Sequence, residues 1–120
     1  MTKRTGPTNH QLKLLIEELE KKHIENGVKL WRRLASDLRK PTRQRRIVNI
    51  YKIDKYAREG ETVVVPGKVL NEGELKKKIN VAAFSFSESA AEKINQVAQT
   101  MSISELMEKN PEGKKVRILG

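Results

Sequence analysis

Residues Arg39 to Arg58 read RKPTRQRRIVNIYKIDKYAR. Eight of these side chains are basic (Arg39, Lys40, Arg43, Arg45, Arg46, Lys52, Lys55 and Arg58), and one, Asp54, is acidic. Five of the eight fall between Arg39 and Arg46 with no acid among them. Lys40-Pro41 biases the backbone away from helix, so this first half reads as an exposed connection. Ile47, Val48, Ile50, Ile53 and Tyr56 then supply apolar side chains, so a folded scaffold begins directly after the basic run. Arginines carried on a fixed base suit a polyanion, nucleic acid first. The plain alternative is a solvated loop charged for solubility.

Working outward, 120 residues make one domain with a modest core. Hydrophobic residues at 37% and charged residues at 33% place the chain among soluble globular proteins. No apolar run approaches the ~20 residues of a membrane span. The start, MTKRTGPTNHQ, lacks the apolar segment of a signal peptide. A cytoplasmic protein is the expectation. The absence of cysteine excludes disulfides and thiolate metal sites. The net charge of +10 is concentrated in one half of the chain. Residues 1–58 carry 16 basic and 6 acidic side chains, and residues 59–120 carry 9 of each. That asymmetry predicts a basic face, which RNA, DNA or an acidic membrane surface can all use.

Before the basic run, residues 1–7 read as a flexible basic arm carrying Lys3 and Arg4, and residues 8–38 as a helical pair. Thr8 and Gln11 have capping-box spacing. Leu12, Leu15, Ile16, Leu19 and His23 form one apolar stripe, and Gly27 suits a left-handed C-terminal cap. The second helix spans about Val28 to Leu38. It buries Val28, Trp31, Ala35 and Leu38, with Leu30 and Leu34 alongside, and turns Arg32 and Arg33 outward. Residues 39–46 form the basic connection, and residues 47–120 a core of strands and helices.

Within that core, Ile47–Ile50 reads as a short strand and Lys52–Arg58 as a helix that Asn49 caps and Gly60 closes. Thr62 to Val65 is β-branched throughout and reads as a buried strand. Pro66-Gly67 reads as a turn that leaves Lys68 exposed, and Asn71-Glu72-Gly73 as another turn. Ile79–Phe86 is a second apolar strand, with Phe84 and Phe86 sharing its core face. Ser85 and Glu88 would box the next helix, which buries Ala90, Ala91, Ile94, Val97, Ala98 and Met101. Ser102 and Glu105 box a last helix with Ile103, Leu106 and Met107 inward. Asn110-Pro111-Glu112-Gly113 ends it, and Val116, Ile118 and Leu119 suggest a closing strand. The fold class is mixed α/β: a helical pair, then strands and helices in alternation.

Catalytic constellations are poorly served by this sequence. Gly60 to Val69 ends in Gly-Lys after a strand, but six residues separate its glycines, and Val69 stands where a phosphate-binding loop needs Ser or Thr. His10 and His23 are thirteen residues apart with no cysteine to complete a metal site. His23 falls on an apolar stripe. Acidic residues fall beside lysines on helix faces, as Glu17 and Lys21 do. The serines 85, 87 and 89 suit capping better than nucleophilic chemistry. Trp31 suits the core better than base stacking. What is left is binding by charge and shape, with phosphate contacts carrying most of the affinity.

Several segments in order carry a family resemblance: Lys40-Pro41 with Arg43, Arg45 and Arg46; Val48-Asn49-Ile50 with Ile53 and Tyr56; Glu61 through Leu70; and Asn110-Pro111-Glu112-Gly113 before the last strand. On these the whole chain resembles the archaeal and eukaryotic large-subunit ribosomal protein family L-eighteen-e, its archaeal members most. The resemblance implies a fold shared with the C-terminal part of bacterial ribosomal protein L-fifteen, an irregular strand-strand-helix superhelix with an added helical part. It also implies a structural constituent of the large ribosomal subunit, bound to ribosomal RNA and neighbouring ribosomal proteins. It implies no catalysis, cofactor, small-molecule substrate or membrane. Arg39, Lys40, Arg43, Arg45 and Arg46 are then the densest expected RNA contacts, with Lys3, Arg4, Arg32, Arg33, Lys52, Lys55 and Lys68 beside them. A free chromatin-type DNA binder and an RNA-acting enzyme are the alternatives.

Overall fold

The computed structural model describes residues 6–40 and 46–119, with side chains described from His10 to Lys40 and from Ile47 to Leu119. In chain order the elements are α1 (Gly6–Asn26), α2 (Lys29–Leu38), β1 (Arg46–Asn49), α3 (Ile50–Tyr56), β2 (Thr62–Leu70), β3 (Asn80–Phe86), α4 (Glu88–Asn95), β4 (Thr100–Ser102), α5 (Ile103–Lys109) and β5 (Val116–Ile118). The strands form one parallel sheet in the order β1-β2-β3-β4, with β5 also on β2. β2 is long enough to hold two partners end to end on one edge. Its first half pairs with β5 (Thr62 opposite Val116) and its second half with β1 (Gly67 opposite Arg46).

A parallel sheet buries both faces, because its crossovers return across them. Here α1, α2 and α5 cover one face. Leu15, Leu19, Trp31, Leu34, Leu38, Ile103, Leu106 and Met107 pack there with Val64 and Ala82. α3 and α4 cover the other, where Ile50, Ile53, Ala90 and Ile94 meet Val48, Val63, Val65, Val69 and Val81. The alternation of Val63, Val64 and Val65 between the two clusters is the strand period of two made visible. The expected α/β class and the N-terminal helical pair are present.

Several local expectations hold. Gly27 takes φ +70, and its amide closes α1 on His23 O at 2.7 Å. Trp31 is fully buried, and its Nε1 donates to Pro111 O at 2.9 Å, docking the segment after α5 onto the helical pair. His23 is half-buried and donates from Nδ1 to Val28 O at 3.2 Å. Ser102 and Glu105 form the capping box of α5, whose Ile103, Leu106 and Met107 point inward.

Others are corrected. Pro66-Gly67 is no turn; both residues are buried inside β2, at a register shift between Val65 and Lys68. On this edge Thr62 donates to Lys115 O and Val64 accepts from the amide of Leu119. The same parity points the nitrogen of Pro66 toward that edge, into the break between β5 and β1. A missing donor costs nothing where there is no strand to receive it. α1 begins at Gly6, ahead of Thr8. α3 begins at Ile50, and Asn49 caps nothing with its side chain; its Oδ1 accepts from the Glu72 amide at 3.2 Å. The cap of α4 is Ser87, which accepts from the Ala90 amide, in place of Ser85. α4 stops at Asn95, so Val97 is exposed and Met101 reaches the core from β4. Phe84 and Phe86 are half-buried and pack against opposite clusters.

Candidate nucleic-acid interface

The expected contact residues divide between the two sides of the sheet and meet around the β1 edge. On the α1/α2 side, burial of Trp31, Leu34, Ala35 and Leu38 leaves Arg32 and Arg33 exposed on the outer surface of α2. Beyond its end Arg39 ion-pairs with Glu20 of α1, and Lys40 Nζ lies 3.3 Å from Asp37 Oδ1. Both bases remain exposed. Exposed pairs of this kind are worth at most about 1 kcal/mol, so a phosphate can take either base over. Lys68 is exposed on β2, opposite Ile47 of β1. Val69 faces α3, so Lys68 faces the other way. Arg46 is the first residue of β1, opposite Gly67. Arg43 and Arg45 lie outside the described residues, as do Lys3, Arg4 and the arm they belong to.

On the other side stands α3. Ile50 and Ile53, with Ala57 beyond the helix end, are fully buried beneath it. Stepping about 100° per residue, the outward arc then reads Tyr51, Lys55, Lys52, Tyr56 across about 140°. Lys52 is half-buried and Lys55 exposed. Lys55 Nζ lies 5.3 Å from the centre of the Tyr56 ring. Tyr51 is 55% exposed, Tyr56 51% and Ile47 65%, so three large apolar or aromatic side chains stand in solvent within ten residues of the basic run. Ile47 and Tyr56 are therefore not part of the scaffold's interior, against expectation. The missed signal was phase: once Val48, Ile50 and Ile53 are inside, strand and helix periods put residues 47, 51 and 56 outside.

The single acid of the stretch is occupied elsewhere. Asp54 Oδ1 accepts from the amides of Lys76 (2.8 Å) and Lys77 (3.1 Å), which ties α3 to the loop before β3. Two lysines of the neutral half are also structural. Lys77 Nζ donates to Ala57 O at 3.0 Å, and Lys93 Nζ to Asn71 O and Gly73 O at 3.2 and 2.6 Å. At the other end of β2, Arg117 holds Glu61 through Nε (2.9 Å) and Nη2 (3.1 Å), and the Arg58 amide adds a third bond at 2.8 Å. The Arg117 guanidinium first, then that amide, hold the Glu61 carboxyl down at about 2 against an ordinary 4.5. The pairing raises the Arg117 pKa in turn. Glu105 is also lowered, chiefly by the Ser102 amide that completes the α5 capping box.

No helix among the described residues is long and apolar enough to cross a membrane. The family described as ribosomal proteins 50S-L15, 50S-L18e and 60S-L27a matches residues 29–98, from α2 through α4. The chain is 45% identical to the large ribosomal subunit protein eL18 of Methanoregula boonei over 99% of both chains. It is 48% identical to that of Methanosphaerula palustris over 99% of both. For the protein of the same name from Pyrobaculum aerophilum the identity is 47%, over 96% of this chain and 95% of the relative. A match across the helical pair, the basic run and the centre of the sheet, with relatives this similar along their whole length, settles the kinship: the chain belongs to the ribosomal-protein family of 50S-L15, 50S-L18e and 60S-L27a.

Proposed function

We propose that this protein is a structural constituent of the large ribosomal subunit and binds ribosomal RNA through the basic side chains around the β1 edge. The observation that carries the proposal is likeness to archaeal proteins named for the large subunit, along nearly their full length. The family is ribosomal, which accords with a structural role without catalysis and with a place in the cytoplasm, beside other large-subunit proteins. The reading needs no cofactor, no small-molecule substrate and no membrane.

Arg39, Lys40, Arg43, Arg45 and Arg46 make the densest phosphate contacts. Arg32, Arg33, Lys52, Lys55 and Lys68 extend them to either side, and Lys3 and Arg4 add the N-terminal arm. Arginine's planar fork matches phosphate with two parallel bonds, so lysine replacements restore the charge but only part of the affinity. Neutralising about five phosphates gives a log-log salt slope of roughly −3 to −5. Titration of the purified chain with large-subunit ribosomal RNA at several salt concentrations tests this, with duplex DNA as competitor. A slope near zero, or preference for the DNA, would refute the proposal.

A further inference from the structure

We infer that the outward arc of α3 is a stacking surface for unpaired RNA bases, with Tyr51 and Tyr56 as the platforms and Lys52 and Lys55 between them for the adjoining phosphates. This rests on the RNA-binding reading above and adds a chemistry that charge alone lacks. Elsewhere the chain keeps its aromatics in: Trp31 is fully buried, and Phe84 and Phe86 are half-buried. Only the two tyrosines stand more than half exposed, and both lie on one seven-residue helix directly after the basic run. An apolar ring in water next to a dense cationic segment has an evident occupant in a nucleotide. The base covers the ring, and the phosphate meets the ammonium.

The platform is braced from behind. Ile50, Ile53 and Ala57 are buried to within 1%. Asp54 caps the loop before β3, and the Tyr51 amide donates to Glu72 O at 3.0 Å. Gly73, at φ +104, packs so closely that a Cβ there would lie 2.5 Å from Tyr51 Cβ and 2.7 Å from its backbone nitrogen. The bare backbone of Gly73 thus supports the root of the Tyr51 side chain. A braced ring loses little freedom on stacking, so most of the contact appears as affinity. The Lys55 ammonium over Tyr56 marks a site where a cation and a ring face are already together. The arc carries no acid to repel the phosphates.

The test uses the full chain and two probes of equal length, single-stranded oligoadenylate and an adenylate–uridylate duplex. Stacking is worth roughly 5- to 150-fold in affinity per base. Tyr51→Ala with Tyr56→Ala is therefore expected to weaken single-strand binding by at least fivefold, with duplex binding, salt slope and melting temperature unchanged. Tyr51→Phe with Tyr56→Phe is expected to restore it, because the ring is kept. Single-strand affinity unchanged in the alanine variant overturns the inference and leaves the charge-based function standing. Equal loss on both probes, or no rescue by phenylalanine, also overturns it. Failure of the wild-type chain to bind either RNA removes both readings together.

Discussion

At the scale of single residues, the Glu61–Arg117 pair shows how the neutral half of the chain uses its charges. The carboxylate takes two bonds from the guanidinium and one from the Arg58 amide, fixing β5 to the start of β2. Its folded-state pKa lies below the ordinary 4.5, at about 2, so it is charged and bonded in the folded state where the unfolded chain would protonate it. Its contribution to stability is therefore full above about 4.5 and disappears as the pH falls toward 2. Melting curves at stepped pH are expected to show the wild type losing stability through that window. Glu61→Gln, already weakened at neutral pH, is expected to lose less on acidification. Parallel losses in the two proteins would remove the pair from the account. Trp31 is a second residue with two jobs. Its ring fills the core beneath α1, and its N–H anchors Pro111, so one side chain joins segments eighty residues apart.

At the scale of elements, local chemistry explains some boundaries and tertiary context the rest. α5 begins where Ser102 and Glu105 satisfy each other's amides, and that spacing was readable directly from the sequence. Ser102→Ala is expected to cost about 0.5–2 kcal/mol, measured by denaturant unfolding; no change would mean that packing of Ile103 and Leu106 alone sets the helix start. β2 teaches the opposite lesson. Pro-Gly is a strong local turn signal, yet Pro66 runs straight through a strand, because its edge lies open between β5 and β1. Nothing within a few residues of Pro66 reveals that gap; it is created by two segments that meet β2 from opposite ends of the chain. The parallel register was unreadable for the same reason. α3 lies between the cases. Its existence was legible, but its phase was not, and the phase decides that Tyr51 and Tyr56 face solvent while Ile50 and Ile53 do not.

At the scale of the whole molecule, the charge asymmetry of the sequence becomes a spatial one. The basic segment borders β1, at one end of the strand order, whereas the neutral half supplies β2 through β5. That much of the candidate site was legible, since like charges packed this densely stay at the surface. What was not legible was the division of its bases between two sides of the sheet, which depends on β1 being an edge strand. Replacing Arg43, Arg45 and Arg46 together with Ala is expected to weaken binding to large-subunit ribosomal RNA and flatten its salt slope. Three lost phosphate contacts change that slope by roughly 2–3, while the melting temperature stays nearly the same. A large fall in melting temperature would assign those side chains to the fold. The most direct test of the central claim is sedimentation of cell extract through a density gradient at moderate salt, with this chain followed by mass spectrometry. The account predicts near-stoichiometric recovery with the large ribosomal subunit that survives a salt wash; recovery at the top of the gradient, or with DNA, would contradict it.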